Sequence, residues 1–199
     1  MKKISEVFWS GLKQILRILY YKLEIMAYPF TPKLNFPLAV WKVNSYKFLQ
    51  ECEYDGIFWG KHLGEDCNTR AGVKVMAVGR GKVVYSACHP GSKEKRNWGN
   101  VIIIAHKHPK TKKVFFSLYG HLAERLVKKG DRVDRGDIIG KVAPALTAEN
   151  GWWEEAHLHL GIFTGSWQGR VLPGYHKTER LEGRMRFWKA PTEFINNYE

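Results

Sequence analysis

Short runs of apolar residues, bounded by glycine and other turn-forming residues, recur along the chain between residues 72 and 163. They are rich in Val, Ile, Phe and Tyr, and runs of this length and composition are typical of β-strands. The pattern therefore predicts a β-rich domain. The runs are GVKVMAVGRGKVVYSA (72–87), NVIIIAH (100–106), VFFSLYGHL (114–122), DIIGKV (137–142) and AHLHLGIF (156–163).

The first 26 residues show a helical period instead. Their apolar residues recur at spacings of three and four, which predicts an amphipathic helix. Charged residues such as Glu6, Lys13 and Arg17 interrupt the apolar positions, so the segment has no clear signal-peptide core and no membrane-spanning run. We expect the helix to pack on its own domain, with association at a membrane surface as the alternative. The apolar positions are Ile4, Phe8, Leu12, Ile15, Leu19, Leu23 and Met26.

These patterns divide the chain into two parts. Residues 1–37 combine the predicted helix with an extended, Pro-rich linker, YPFTPKLNFP. Residues 38–199 form the β-rich domain, in which a basic and aromatic insertion covers about 167–188. The closing segment 190–199 begins with a short predicted helix that has Pro191 near its first turn.

The chain is strongly basic, with 32 Lys and Arg against 19 Asp and Glu and a formal net charge of +13. Such a charge favours anionic partners: nucleic acid, anionic lipid or a bacterial wall polymer. No recognised nucleic-acid motif accompanies it, so specific nucleic-acid binding has the least support. Three Cys without a C-x-x-C pair argue against a zinc knuckle or a disulfide scaffold, so we expect buried free thiols.

Two His-x-His pairs, His106/His108 and His157/His159, are the first candidates for chemistry. In a strand, residues i and i+2 point to the same face about 6.5–7 Å apart, so both pairs have the spacing of a shared site. His108 is followed by Pro109 and three Lys, which predicts an exposed hairpin tip where positive charge opposes metal binding. The pair His157/His159 lies within an apolar run and is the better candidate.

One pair of histidines is not a complete metal site, because a catalytic zinc usually takes three protein ligands and leaves one position for water. The segment GKHLGEDCN offers His62 and Asp66, and Gly60 and Gly64 give the backbone freedom to bring the imidazole and the carboxylate together. His121, in SLYGHL, is a fifth candidate. Single motifs of this kind arise by chance, whereas their combination is far more specific.

The ordered set resembles the lysostaphin/LytM-type zinc metallopeptidases, a family of bacterial and phage cell-wall endopeptidases. The likeness extends from about residue 60 to residue 163 and includes the order of the motifs. Several features depart from the family: Trp152, Trp153, Glu154 and Glu155 replace the small residues common before the last motif, Ser117 stands where Thr is common, and the insertion 167–188 has no counterpart that we can match. The matching motifs are His62-x-Gly64-x-Asp66, Gly99-Asn100 before a strand ending in His106, Tyr119-x-His121-Leu122, the turn pattern from Val127 to Gly140, and His157-x-His159.

The resemblance implies an antiparallel, hammerhead-type β domain that hydrolyses peptide bonds in peptidoglycan stem peptides or cross-bridges. It implies one zinc ion held by His62, Asp66 and His159. His121 and His157 match the two active-site histidines that do not bind the metal, and they would orient water, move protons and stabilise the oxyanion. Because such a substrate lies outside the cytoplasm, we expect the protein in the cell envelope or outside the cell, although no clear signal peptide is present.

Three other functions fit parts of the sequence. A catalytically silent family member would regulate wall hydrolases, although such proteins lose zinc ligands and all the matching positions are present here. A biotinyl- or lipoyl-type carrier would account for VKKGDRVDRGDIIGKV but not for the His and Asp residues. A nucleic-acid-binding module would account only for the charge and the aromatic residues.

Overall fold

The computed structural model describes residues 26–54, 56–177 and 185–199, together with the isolated positions 9, 12, 16 and 23. Among these residues, nine strands form one large antiparallel sheet and three form a small one. All five apolar runs contribute strands to the large sheet, which confirms the predicted mainly β, antiparallel fold. The strands are β1 Glu51–Tyr54, β2 Ile57–His62, β3 Glu65–Asn68, β4 Lys74–Met76, β5 Gly81–His89, β6 Gly99–Lys107, β7 Val114–Arg125, β8 Arg132–Val133, β9 Ile138–Val142, β10 His157–Phe163, β11 Tyr175–His176 and β12 Trp188–Lys189, and the helix is α1 Pro191–Asn196.

The predicted N-terminal amphipathic helix lies almost entirely outside the described residues, and it stays a prediction. Of its apolar positions, Leu12, Leu23 and Met26 are described: Leu12 is half-buried, whereas Leu23 and Met26 are exposed by 65% and 73%. The expected packing against the domain is therefore absent at Leu23 and Met26. In the described part of the chain, no helix has the length and apolar character needed to cross a membrane.

The Pro-rich segment 28–37 is extended and lies along the domain. The Thr31 N–H donates to the Lys107 carbonyl at the end of β6 (2.9 Å), and the Asn35 N–H donates to the Val78 carbonyl (2.8 Å). Tyr28 is buried in the core. These contacts make the segment part of the packed structure.

The central position of β10 explains how remote motifs meet. One edge of β10 pairs with β7, and the other edge pairs first with β3 and then with β12. Beyond β7, the sheet continues through β6, β5 and β8, while β9 joins β4 to β7. Because β10 carries the second His-x-His pair, residues of β3 and β7 lie on either side of that pair.

The small sheet has the order β1-β2-β11. Its outer strand β11 belongs to the insertion 167–188, of which residues 178–184 lie outside the described part of the chain. In β11, Tyr175 pairs with His62 and His176 pairs with Lys61 of β2. The insertion is therefore attached to the strand that carries the first motif histidine.

Both faces of β6 are buried, which explains the uninterrupted apolar run from Val101 to Ala105. Successive side chains of a strand point to opposite faces. Val101, Ile103 and Ala105 accordingly pack in one core cluster, and Ile102 and Ile104 pack in the other. The apolar run of β6 thus forms the covered centre of the molecule.

The closing helix α1 begins at Pro191, as predicted. The backbone N–H and the hydroxyl of Thr192 both donate to the Glu65 carboxylate on β3 (2.9 and 2.5 Å). Ile195 is buried against the core. The helix therefore braces β3 immediately beside Asp66.

The three cysteines are free. Cys52 and Cys67 are buried, as expected, whereas Cys88 is exposed. The expectation fails at Cys88 because burial decreases along β5 towards the loop that leads to β6.

Candidate active site

His62 ends β2 and Asp66 lies in β3, with a tight turn between them. The turn requires glycine at position 64, because a Cβ there would come within 2.5 Å of both His159 Nε2 and the Leu160 carbonyl oxygen. Across the sheet, Asp66 pairs directly with His159 of β10. The glycine of the first motif therefore lets the two strands approach closely enough for the three side chains to meet.

The side chains of His62, Asp66 and His159 converge and are buried, with exposures of 0%, 2% and 2%. His62 Nε2 lies 2.9 Å from His159 Nδ1 and 3.3 Å from Asp66 Oδ2. His159 Nδ1 lies 3.0 Å from Asp66 Oδ1. These three residues form a cluster whose ligand atoms all lie within 4.8 Å of one another, an arrangement that can hold a metal ion.

Hydrogen bonding and burial prepare these groups for a cation. The His62 Nδ1–H donates to the Lys47 carbonyl (3.3 Å), which leaves the lone pair on Nε2 directed at the cluster. Burial lowers the pKa of His159 to about 4, so its ring is neutral at pH 7. Burial opposes ionisation of Asp66, but His62 and His159 outweigh that effect and hold the pKa of its carboxyl well below its usual range. Neutral imidazole and ionised carboxylate are the states that metal ligation requires.

The donor set fits a catalytic zinc site. Asp66 Oδ1 is buried and lies 3.0 Å from His159 Nδ1, so both atoms can serve as ligands of one cation. Two imidazole nitrogens and one carboxylate oxygen are a common set of ligands for catalytic zinc. Three protein ligands also leave a coordination position open for water or substrate.

His121 reaches the site because β7 is irregular there. Gly120 and His121 of β7 face a single residue of β6, Val101, in a β-bulge. His121 has a φ of 64°, a left-handed conformation that costs a non-glycine residue roughly 1–3 kcal/mol. Regular alternation would direct His121 to the face of Tyr119. The bulge instead brings its ring centroid to 4.4 Å from that of His157.

Backbone carbonyls set the tautomers of His121 and His157. The His121 Nδ1–H donates to the Asn150 carbonyl (2.7 Å), and the His157 Nδ1–H donates to the Glu155 carbonyl (2.8 Å). Because a carbonyl oxygen only accepts, each ring carries a proton on Nδ1, and the neutral form of each ring has its lone pair on Nε2. Burial, followed by the neighbouring His157 and His159, holds the pKa of His121 well below its usual range. His121 is therefore a neutral ring that can accept a proton.

The other His-x-His pair lies elsewhere. His106 is buried in the core, where its Nδ1–H donates to the Arg80 carbonyl (2.9 Å) and its Nε2 lies 2.7 Å from Ser117 Oγ. His108 lies in the turn after β6, with its ring centroid 5.0 Å from that of Tyr198. The structure thus brings together all five residues of the expected site and leaves this pair outside. The five are His62, Asp66, His121, His157 and His159.

Aromatic residues form walls around the cluster. The ring centroids of Trp153 and Tyr175 are 6.3 Å apart; Tyr175 lies 5.4 Å from His62, and Trp153 lies 6.0 Å from His121. Trp98 stacks 5.6 Å from His121 on another side. For Trp153, the sequence signal was the pair of Trp residues before the last motif. Tyr175 had no such signal, because it lies in the insertion 167–188, for which the sequence offered no matching motif.

Trp153 and Tyr175 stand between two pockets of about 310 Å³ each. The first pocket is lined by His159 of the cluster and by His121, and the second is lined by Asp66 of the cluster and by His157. An extended peptide bound across the cluster would therefore contact both pockets.

Comparisons with known proteins agree with this geometry. A model of peptidase family M23 matches residues 60–170, which are more than half of the chain. The peptidoglycan DD-endopeptidase ShyB of Vibrio cholerae serotype O1 is 35% identical over 101 residues, which cover 51% of this chain and 20% of that protein. The chain thus spans about a fifth of the length of the curated relatives that it matches.

Solved structures share the fold. A zinc-containing peptidase from Vibrio cholerae has a TM-score of 0.53 at 26% identity, covering 74% of this chain and 41% of that one. Lysostaphin from Staphylococcus simulans has a TM-score of 0.52 at 24% identity, covering 83% of this chain and 56% of that one, and at this identity the likeness concerns the fold alone. The stretch matched by the family model contains all five residues of the expected site, and the chain belongs to peptidase family M23.

Proposed function

We propose that the protein is a zinc metalloendopeptidase that hydrolyses peptide bonds in the stem peptides or cross-bridges of bacterial peptidoglycan. The observation that carries this proposal is the convergence of buried His62, Asp66 and His159 beside the ring pair His121 and His157. Membership of peptidase family M23 supports the reaction class. The 35% identity to a protein named as a peptidoglycan endopeptidase supports the substrate class.

In this proposal, His62 Nε2, His159 Nδ1 and the Asp66 carboxylate hold one zinc ion. When bound, zinc would lower the pKa of a bound water towards neutrality and polarise the scissile carbonyl. The Nε2 lone pairs of His121 and His157 accept the proton of the attacking water and return it to the leaving amine. A ring protonated in this way can also donate a hydrogen bond to the developing oxyanion.

The proposed substrate places the protein in the cell envelope or outside the cell. There, the net charge of +13 would concentrate it on an anionic wall polymer or membrane surface. The predicted N-terminal helix would supply a further contact with the membrane surface.

Digestion of purified peptidoglycan tests this function. Zinc-loaded protein should release fragments cut at amide bonds, identified by mass spectrometry; a chelator should stop the release and added zinc should restore it. Release that persists in the chelator would contradict the zinc dependence. A protein that holds one zinc ion per chain and releases no fragments would instead be the catalytically silent regulator.

A further inference from the structure

The two pockets beside the cluster carry opposite charges. Arg96 and Lys177 line the first, which we call the basic pocket, and Glu154 and Glu155 line the second, which we call the acidic pocket. Among the described residues that line them, the basic pocket has no Asp or Glu and the acidic pocket has no Lys or Arg. The two pockets together form one groove that runs past the cluster. We propose that this groove binds a peptide whose free carboxylate lies in the basic pocket and whose free ammonium group lies in the acidic pocket. This inference rests on the proposed function.

Aromatic rings of the groove hold both cations in place. Lys177 Nζ lies 5.7 Å from the centroid of the Trp59 ring. The Arg96 guanidinium lies 3.9 Å from the centroid of the Tyr54 ring and donates to its hydroxyl (2.5 Å). Cation–π contacts of this length attract the cation to the ring face. The positive charge of the basic pocket is therefore fixed at the wall of the groove.

The border between the pockets is an ion pair. Arg96 lies 3.7 Å from Glu154, with side-chain exposures of 13% and 62%. Because each partner offsets the charge of the other, Lys177 and Glu155 provide the remaining charge at the two ends of the groove. A substrate carboxylate is attracted towards Lys177 and repelled by Glu155. An ammonium group of the substrate is attracted towards Glu155 and repelled by Lys177.

This polarity gives the peptide a direction. The basic pocket contacts the cluster at His159, beside His121, and the acidic pocket contacts it at Asp66, beside His157. The carboxylate and the ammonium group therefore lie on opposite sides of the scissile bond. A peptide bound the other way round would place like charges together, which disfavours that orientation.

A pair of synthetic peptides tests the inference. Both contain the bond identified by peptidoglycan digestion, and they differ only in having free carboxylates or the corresponding carboxamides. Zinc-loaded wild type should cleave the carboxylate peptide with a kcat/KM about three- to fivefold higher, the size expected of an exposed ion pair. Lys177→Met should bring this ratio close to one, mainly through KM, and Lys177→Glu should invert it. A second pair of peptides differs only in having a free or an acetylated amine. Wild type should prefer the free amine, and Glu155→Gln should reduce this preference.

Lys74 provides the matched control, because it is exposed on β4 and lines neither pocket. Lys74→Met removes the same charge and should leave the ratio at its wild-type value. A wild-type ratio near one, or equal loss in the Lys74 and Lys177 variants, would overturn charge selection while leaving the peptidase function intact. Failure of the wild type to cleave either peptide or peptidoglycan would overturn the proposed function itself.

Discussion

At the scale of single residues, three rings of the site share one structural feature. Each donates its Nδ1–H to a main-chain carbonyl outside the strand that carries the ring, so in the neutral ring the lone pair is on Nε2. The role of each ring then depends on the groups that surround its Nε2. For His62, those groups are Asp66 and His159. The donor and acceptor pairs are His62 with Lys47, His121 with Asn150 and His157 with Glu155.

Replacing His159 and replacing His121 should have separable effects. His159→Ala removes one of the three converging donors, so bound zinc and peptidase activity should be lost together. His121→Ala leaves the three donors in place, so zinc should remain at one ion per chain while kcat falls by about 10²- to 10⁴-fold. Metal analysis and hydrolysis rates on the same preparations measure both effects. His108→Ala, in the turn after β6, should change neither, and full activity of either site variant would contradict its assignment.

Asn150 is fully buried and connects His121 and His157, the two rings that are not expected to bind the metal, through hydrogen bonds. Its carbonyl accepts from His121, and its Nδ2–H donates to the Glu155 carbonyl (3.2 Å), which also accepts from His157. We expect Asn150→Ala to lower kcat by about tenfold, equivalent to roughly 1.4 kcal/mol, because the His157 ring loses its fixed orientation. KM and zinc content should stay near their wild-type values.

Kinetics, metal analysis and the imidazole nitrogen resonances measure this effect, and His157 should show a mixture of tautomers in the variant. Asn150→Asp is the sharper variant, because it keeps the Oδ1 that accepts from the Trp153 N–H (2.7 Å) and removes the donor to Glu155. A similar fall in kcat in Asn150→Asp would assign the effect to the hydrogen bond between the Asn150 side chain and the Glu155 carbonyl. Unchanged kcat in both variants would show that Asn150 does not position the rings.

The sequence predicted the five residues that meet at the site but none of the groups that orient them. The five belong to motifs with fixed spacing and order, and the amino-acid sequence contains each of these motifs. Their acceptors are backbone carbonyls of Lys47, Asn150 and Glu155, and a carbonyl is present in every residue type. Which carbonyl faces which ring is determined only when the chain has folded.

At the scale of elements, the strands that could be predicted from the sequence are those with both faces buried. The strands β6 and β10 appear in the sequence as continuous apolar runs because both of their faces are covered. The strand β2 alternates irregularly between exposed and buried positions, and β11 has two residues whose partner is β2. When a short strand forms because of its pairing with a neighbouring strand, its own residues show no pattern from which it could be predicted.

His106 ties three elements together, and this should appear in the pH dependence of stability. Its ring bridges β6, the Arg80 carbonyl before β5, and Ser117 on β7. Burial lowers its pKa from 6.5 to about 4, so the unfolded chain binds this proton more readily than the folded chain. The contribution to the free energy of unfolding is therefore complete above pH 6.5 and declines as the pH falls towards 4, by at most about 3 kcal/mol.

Denaturant unfolding between pH 7.5 and 4.5 measures this decline. His106→Asn keeps a donor for the Arg80 carbonyl and removes the titrating ring, so its stability at pH 7.5 should be lower and its dependence on pH shallower. Identical pH dependence in wild type and variant would show that the decline arises from other groups.

At the scale of the whole molecule, the site lies where the two sheets meet. His62 ends a strand of the small sheet, while Asp66, His121 and His159 belong to the large one. The insertion adds Tyr175 to the same junction through β11. The groove is therefore built from the core motifs and from the insertion, and a change in the insertion can alter the pockets without touching the proposed metal ligands.

The excess of positive charge belongs to the molecule as a whole and should act at longer range than the groove. At low ionic strength, a net charge of +13 attracts the protein to an anionic wall polymer, and salt screens this attraction as the Debye length falls from about 10 Å at 0.1 M to about 3 Å at 1 M. Sedimentation with peptidoglycan that retains its anionic polymer should therefore capture most of the zinc-loaded protein at low salt and little of it at 1 M. Peptidoglycan stripped of that polymer should capture less at low salt, while cleavage of a short soluble peptide should depend on salt far less steeply. Capture that is the same on both materials and at both salt concentrations would mean that contacts in the groove, and not the overall charge, hold the protein on the wall.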